Sequence, residues 1–164
     1  MMALDSQTLM QIDQILLDHI AALDGKDMQR WLETFVEDDK AGYICLSQEN
    51  AEHGLALGFM YDDCHARLRD RVTFVTEIWA GTFQDYRTRH FVQRVETKEI
   101  GNGDFAVKSN FSVFMTPEDT GVSEILATGV YDDVIRLGNG EARILTRRAL
   151  LDTSVLPRYL VYPI

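Results

Sequence analysis

The sequence predicts an α+β fold, in which N-terminal helices pack on a curved, mostly antiparallel sheet and form a cone with an interior pocket. Three observations support this: apolar residues recur every three or four positions early in the chain, they alternate at every second position after residue 87, and two Gly-Asn-Gly segments interrupt that alternation. Helices that precede the strands are typical of α+β folds. The 164 residues suit a single domain covering 1–164.

Two helices are predicted before the first strand. In the first, about Ser6 to Leu23, isoleucine and leucine residues form one apolar stripe, Asp5 or Ser6 can cap the N-terminus, and Gly25 ends the helix. The second covers about Asp27 to Phe35 and has its apolar residues on one face. Each stripe predicts one buried helix face.

A short strand and a third helix follow. Residues 41–46 are predicted to form the strand, whereas residues 49–59 show no clear period. The third helix is predicted to begin at Asp62 and Asp63, because carboxylates favour a helix N-terminus through capping and the helix dipole. Gly81 is expected to end it.

Four long strands are predicted in the second half of the chain. Two tight hairpin turns, Gly101-Asn102-Gly103 and Gly138-Asn139-Gly140, and a longer turn at 116–121 join them. Gly129 lies inside a strand and fits a bulge or bend that would curve the sheet. Two hairpins in series form an antiparallel meander, one face of which the helices cover; the predicted strands are 87–95, 105–115, 125–137 and 142–151.

Composition and charge exclude several classes of protein. Apolar residues make up 46% of the chain, which argues against disorder, and no stretch approaches the about 18 apolar residues of a membrane span. The net charge of −10 does not provide the basic surface that nucleic-acid binding requires. There are only two cysteines, and the first ten residues lack the basic and apolar regions of a signal peptide. We expect a cytoplasmic protein without nucleic-acid or membrane partners.

The sequence does not bring together the residue types of common catalytic and metal sites. The four histidines are widely spread, and Cys64 is directly beside His65, which is not the spacing of an iron–sulfur motif. The serines lack the Gly-x-Ser-x-Gly turn of a nucleophile, and the paired glycines belong to hairpins. We predict no catalytic, cofactor-binding or metal-binding residue, with one alternative: Asp18 and His90 as an acid–base pair inside the pocket.

Arginine placement is the most distinctive chemical feature of the chain. Two interpretations stay open: ion pairs with the abundant carboxylates of the same chain, or a subunit interface, where arginine is enriched and lysine depleted. The C-terminal segment 156–164 is apolar and aromatic, and either covers the chain's own sheet or contacts a partner. The predicted interface candidates are Arg87, Arg89, His90, Arg147, Arg148, Tyr159 and Tyr162.

An ordered series of short motifs resembles the small (beta) subunit of aromatic-ring-hydroxylating dioxygenases. One position departs from the family, which usually shows Asn-Val where this chain has Arg94-Val95. The series covers nearly the whole chain and comprises Leu23-Asp24, Trp31-Leu32, Tyr43, Asp62-Asp63, Arg87-Thr88-Arg89-His90, Ser109-Asn110-Phe111, Gly129-Val130-Tyr131 and Arg147-Arg148.

The resemblance implies a nuclear-transport-factor-like cone, which ketosteroid isomerase and scytalone dehydratase also use. It implies a large (alpha) partner subunit with a Rieske iron–sulfur cluster and a mononuclear iron, in an assembly of three large and three small subunits whose small subunits associate as a trimer. This chain would be mainly structural, without a cofactor of its own, in a complex that adds molecular oxygen to an aromatic substrate such as a benzoate-, salicylate- or anthranilate-like acid.

A second hypothesis is a stand-alone dehydratase or isomerase of the same cone fold, which would use the Asp/His pair in its pocket. The cone interior discriminates between the two hypotheses. An interior without ionisable groups would favour the subunit, whereas a pocket lined by a His–Asp pair would favour the enzyme.

Overall fold

Helices and a curved sheet enclose the core of the computed structural model, which describes residues 4–164. The first helix begins after Asp5, whose side chain accepts a hydrogen bond from the Thr8 backbone N–H at 2.9 Å, as the capping prediction requires. None of the helices in the described residues is long and apolar enough to cross a membrane. The helices are α1 (Ser6–Asp24), α2 (Met28–Glu33), α3 (Gln48–Glu52) and α4 (His65–Thr73), the last continued by a π-helical turn at Phe74–Ile78.

Six strands form one sheet in the order β2-β1-β6-β5-β4-β3. The four long strands form the antiparallel meander that the turns predicted, and among the paired strands of residues 4–164 only β1 and β6 are parallel. The strands are β1 (Gly42–Ser47), β2 (Gly58–Asp62), β3 (Tyr86–Gly101), β4 (Asp104–Pro117), β5 (Glu124–Gly138) and β6 (Glu141–Leu151).

The segment between β1 and α4 differs from the prediction. Residues 49–59, which show no clear period in the sequence, contribute to the short helix α3 and to the edge strand β2. Asp62 ends β2 instead of starting the third helix, and its carboxylate accepts two hydrogen bonds from Arg71 at 2.9 and 3.0 Å. The predicted helix start is therefore wrong, because an ion pair, not a helix cap, satisfies this carboxylate. Helix α4 begins at His65 after Cys64, whose side chain makes no capping hydrogen bond.

Irregular register gives the sheet its curvature. The strand pairing shifts between Arg94 and Glu96 and between Val113 and Phe114, which are positions typical of β-bulges. A bulge or a bend was predicted at Gly129, and the strand pairing runs through it without a shift, so the bulge is wrong. The lack of a side chain at Gly129 permits a close approach of β6, because a Cβ at this position would lie 2.0 Å from the Leu150 carbonyl oxygen.

The core lies between α1, α2 and the inner face of the sheet. Helix α1 buries its apolar stripe and contacts β3 and β6. The C-terminal segment returns to this core: the Ile164 N–H donates to the Tyr43 hydroxyl at 2.9 Å, and that hydroxyl donates to the Ile164 carbonyl at 3.0 Å. The Val161 N–H likewise donates to the Tyr86 hydroxyl at 3.3 Å. The segment therefore covers the chain's own core, which was one of the two interpretations left open by its sequence.

Candidate functional site

The inner face of the sheet carries polar side chains at the centre of the cone. Strand alternation directs them inward together with the apolar core residues, and each is at most 5% exposed. Ser109 lies directly opposite Tyr131 in the β4–β5 pair, and Asp133 lies directly opposite Arg147 in the β5–β6 pair. We call this set, His90, Ser109, Tyr131, Asp133 and Arg147, the interior cluster.

Arg147 and Asp133 form a fully buried ion pair. The Arg147 Nε and Nη2 atoms donate to the two Asp133 oxygens at 2.9 and 2.7 Å, and neither side chain has exposed surface. Burial raises the pKa of Asp133 above its ordinary value, although the Arg147 charge opposes the change. Both charges depend on this bidentate contact, because an unpaired charge in the interior is strongly destabilising.

Aromatic stacking fills the space around this pair. The Tyr131 ring stacks on the Phe111 ring with centroids 4.2 Å apart and an interplanar angle of 16°. The Arg147 guanidinium carbon lies 3.9 Å from the Tyr131 ring centroid, in a cation–π arrangement. These stacked side chains occupy the centre of the cone, where the sequence predicted a pocket.

His90 connects the sheet to the end of α1 through Asp24. The His90 Nδ1 lies 2.6 Å from one Asp24 oxygen, and the His90 backbone N–H donates to the other at 3.0 Å. The Thr88 hydroxyl also donates to Asp24, at 3.0 Å. Burial alone would raise the pKa of Asp24, but these hydrogen bonds outweigh it and the pKa is lowered. Asp24 is thus an ionised acceptor that holds the helix end against β3.

His19 is a second interior histidine, and it is held in the neutral state. The Trp31 indole N–H donates to His19 Nε2 at 3.1 Å, so the ring proton belongs on Nδ1, which lies 2.8 Å from the Thr34 hydroxyl oxygen. Burial lowers the pKa of His19 well below its ordinary value, and the charges of Arg147 and His90 add to the effect. A neutral histidine with both nitrogens bonded serves to pack α1 against α2.

Replacing Asp24 with asparagine is expected to weaken the dependence of the free energy of unfolding on pH in the acid range. The pKa of Asp24 is lower in the folded chain than its ordinary 3.8, so its carboxylate stabilises the fold above that pH, and the stabilisation is lost as the pH falls through the folded-state pKa. Measured by urea unfolding, the free energy of unfolding of the variant should be about 1–2 kcal/mol below that of the parent at pH 7. This difference should shrink toward pH 3.

The matched control for this prediction is Asp18→Asn, on the same helix. Asp18 is partly exposed, and it accepts hydrogen bonds from Gln14 at 3.0 Å and from Arg30 at 3.4 Å. Because its charged partner Arg30 is exposed, this variant should change the free energy of unfolding at pH 7 by less than about 1 kcal/mol. Parallel pH profiles for Asp24→Asn and the parent would contradict the role assigned to the Asp24 carboxylate.

Asp18 and His90 are not brought together. Asp18 lines a surface groove with Gln14 and Arg30, whereas the His90 side chain is 1% exposed and pairs with Asp24. The acid–base pair of the alternative hypothesis is therefore wrong as a pairing. The interior gives a mixed result by the stated criterion. Side chains fill the cone, but they include ionisable groups, and the His90–Asp24 pair is present as the enzyme hypothesis expects. These ionisable groups are bonded to one another.

Asp133 is absent from the predicted set, although the sequence contains a signal for it. Tyr131, Asp133 and Ile135 alternate in one strand, which places the carboxylate on the same face as two core residues. A carboxylate at such a position needs a buried cation. Arg147, directly opposite Asp133 on β6, supplies this cation and is itself buried.

The predicted interface residues fall into three groups by exposure. Arg87, Arg89, Arg148 and Tyr159 are exposed, and for them the interface stays a prediction. Arg147 and His90 are buried and paired within the chain, which removes their side chains from the surface and corrects that part of the prediction. Tyr162 is half-buried and packs edge-on against Phe83 and Tyr86.

Residues 4–164 contain no group of three or more histidine, cysteine or carboxylate side chains placed to hold a metal ion. Both thiols are free, that of Cys45 in the core and that of Cys64 at an intermediate position. Burial raises the pKa of the Cys45 thiol to about 12, so the free thiol stays protonated. The described residues therefore do not fit an iron–sulfur cluster.

Comparison with known proteins identifies relatives of this chain. Residues 18–158 match the family model described as ring hydroxylating beta subunit. The small subunit of anthranilate 1,2-dioxygenase from Burkholderia cepacia is 30% identical over 161 residues, which cover 98% of this chain and 96% of that protein. The beta 2 subunit of the terminal oxygenase component of terephthalate 1,2-dioxygenase from a Comamonas species is 28% identical over 144 residues, 87% of this chain and 89% of the relative.

A solved structure shares the whole architecture. It is a chain from Novosphingobium aromaticivorans, assigned as the beta subunit of an aromatic-ring-hydroxylating dioxygenase, with a TM-score of 0.81 and 27% identity. The match covers 94% of this chain and 95% of that one. The α+β cone predicted from the sequence is confirmed, and it is of the type that scytalone dehydratase also uses.

Proposed function

The chain belongs to the family of ring hydroxylating beta subunits, and from this premise we propose that it is a structural, non-catalytic subunit within its dioxygenase complex. The family match, which covers residues 18–158, carries the proposal. The interior geometry supports it, since the ionisable groups of the cone pair with one another: Arg147 with Asp133, and His90 with Asp24. Groups bonded in this way are engaged in holding the fold.

The partner is a large (alpha) subunit, in an assembly of three large and three small subunits. The Rieske cluster and the mononuclear iron belong to that partner, where they supply the oxygen-activating chemistry. The substrate is an aromatic acid, because the two named relatives are dioxygenases of anthranilate and terephthalate, both aromatic carboxylic acids. The free thiols of Cys45 and Cys64 suit a reducing, cytoplasmic location.

The outer face of the sheet offers a surface for subunit contact. Arg89 lies opposite Phe114 in the β3–β4 pair, and Phe114 lies opposite Ile125 in the β4–β5 pair. The Phe91 and Phe114 rings meet edge to face at 5.7 Å, and Phe91 and Ile125 are each 57% exposed. An apolar patch beside arginines is typical of an interface core. We call Arg89, Phe91, Phe114 and Ile125 the outer-face patch.

The test of the proposed function is purification through a tag on this chain from its native source. The expected product is a complex of six subunits that contains a second, larger polypeptide with all of the iron. Native mass spectrometry gives the stoichiometry, and metal analysis after separation of the subunits assigns the iron. Recovery of this chain alone, without iron and without a second polypeptide, would contradict the subunit proposal.

Replacing Arg89 with glutamate is expected to weaken the complex. Charge reversal beside the outer-face patch opposes a contact that the guanidinium would stabilise, and co-purified large subunit should fall about tenfold, corresponding to about 1.4 kcal/mol. Arg69→Glu, an exposed arginine on α4 outside this patch, is the matched control and should retain the partner. Equal recovery with both variants would exclude the outer-face patch as a contact surface.

A further inference from the structure

A row of charged side chains crosses the outer face of the four long strands. Glu96 lies opposite Lys108 in the β3–β4 pair, and Lys108 lies opposite Asp132 in the β4–β5 pair. Asp132 in turn lies opposite Arg148 in the β5–β6 pair. Directly opposite residues share a face of the sheet, and the neighbouring Asp133 points inward, so the whole row points outward. We call Glu96, Lys108, Asp132 and Arg148, whose charges alternate in sign, the charged row.

Two charges of this row are left without a partner inside the chain. Asp132 and Arg148 lie 3.6 Å apart and pair with each other. Glu96 and Lys108 are exposed, and neither takes part in an ion pair among residues 4–164. Their charges are therefore free to meet opposite charges on another molecule.

Apolar side chains accompany the charged row on the two central strands. Phe114 of β4 lies opposite Ile125 of β5, and the two are 38% and 57% exposed. Phe114 is an even number of residues from Lys108 along β4, which places both on the outer face. An apolar contact area beside alternating charges suits a protein surface of matching composition.

Two-fold symmetry makes this face complementary to itself. In a two-fold dimer, a residue pair that meets across the axis meets twice, with the two copies exchanging roles. An axis that runs parallel to the strands, between β4 and β5, places β4 of one copy over β5 of the other and β3 over β6. The residues that then face each other are Lys108 and Asp132, Glu96 and Arg148, and Phe114 and Ile125.

Other two-fold axes in the plane of the face do not match the charges. An axis along the charged row, perpendicular to the strands, would place each charge over its own copy and create repulsion. An axis between β5 and β6 would place Lys108 over the apolar Ile44, which lies opposite Arg148 in the β1–β6 pair. Only the axis between β4 and β5 uses all four charges of the row in opposite-sign contacts.

We propose that two copies of the free chain pair through the outer faces of their sheets, about the two-fold axis between β4 and β5. Sheets pack face to face about 10 Å apart with their strands within about 30° of each other. Lys108 and Asp132 are the charges nearest the axis, so such a crossing angle displaces them least. The large subunit proposed above uses the same outer-face patch and replaces the second copy when the complex forms, but the pairing of the free chain does not depend on that proposal.

Sedimentation velocity of the purified chain tests the pairing, and the expected species is a dimer whose dissociation constant rises with salt. Lys108→Glu and Asp132→Lys each place like charges opposite one another twice in the dimer. Each variant should therefore raise the dissociation constant at least about tenfold. Lys40→Glu, at an exposed lysine in the turn before β1, is the matched control and should leave the dissociation constant unchanged.

An equal mixture of Lys108→Glu and Asp132→Lys is the decisive measurement. In the mixed dimer, the two substituted charges face each other with opposite signs, and the other contact keeps its original Lys108–Asp132 pair. The mixture should therefore dimerise at least about tenfold more tightly than either variant alone. Charges that act only within one chain cannot produce this rescue.

Three results would overturn the proposal: a chain that stays monomeric, a trimer in place of the dimer, or a mixture that binds no more tightly than its components. Circular dichroism shows whether each variant is folded. If one is not, carbodiimide coupling of the unmodified chain, equilibrated from labelled and unlabelled isotope forms, replaces the mixture. A coupled Lys108–Asp132 peptide with one labelled and one unlabelled half supports the pairing, and the lack of this mixed product excludes it.

Discussion

Replacing Asp133 with alanine is expected to lower the free energy of unfolding by about 3–5 kcal/mol, because it leaves the Arg147 charge buried without its partner. The Arg147 side chain has no exposed surface and is held beneath Tyr131, so it cannot reach water without disrupting the stacked rings. Urea unfolding followed by circular dichroism measures the change. A loss of this size is a large fraction of the stability of an ordinary domain.

The chain contains a matched control for this prediction. Arg148 and Asp132 are the adjacent residues on the same two strands and point to the outer face, where their charged atoms lie 3.6 Å apart and remain partly exposed. Asp132→Ala should cost less than about 1 kcal/mol. The double variant Asp133→Leu with Arg147→Met should recover most of the loss, since apolar residues can replace a buried ion pair. Equal losses for Asp132→Ala and Asp133→Ala would contradict the interpretation.

Replacing Gly129 with alanine is expected to prevent folding or to cost about 4 kcal/mol or more. The added Cβ would lie 2.0 Å from the Leu150 carbonyl oxygen, 3.0 Å from its carbonyl carbon and 3.1 Å from the Leu151 Cα. All three are backbone atoms of β6, so relief requires β5 and β6 to separate. Soluble yield and the urea midpoint of any soluble fraction measure the effect.

Gly138→Ala, at the other end of β5, is the control. A Cβ there would meet no heavy atom within 4 Å, so the change should stay within about 0.5 kcal/mol of the parent. If Gly129→Ala folds with the stability of Gly138→Ala, the close approach of β5 and β6 is not a constraint on this fold.

Much of the fold could be predicted from local patterns. The alternation and the two Gly-Asn-Gly turns identify the meander, and the apolar stripe with Asp5 identifies α1. Strand β2 could not be found in this way, since it has only five residues and its inward Asp62 interrupts the apolar alternation. Its partner Arg71 is nine residues away, a distance at which local periodicity carries no information.

Which residues of the candidate site lie opposite each other depends on the register of the strands, and local sequence patterns do not reveal that register. The turn at Asn139 pairs Gly138 with Glu141, and continued without interruption it would place Asp133 opposite Thr146. A register shift between Val134 and Ile135 moves the pairing by one residue and brings Arg147 opposite Asp133. Nothing in the sequence of this stretch marks the bulge, so the sequence alone does not predict the pairing of Arg147 with Asp133 and favours a surface position for Arg147.

The position of β1 beside β6 has a consequence for how the chain folds during its synthesis. The two strands pair although about 100 residues separate them, and closing so large a loop is slow compared with forming hairpins. The local pairs of the meander can form first, whereas β1 must wait until β6 has left the ribosome. The N-terminal helices and β1 thus keep apolar surface exposed longest, and chaperones are expected to act on this part of the nascent chain.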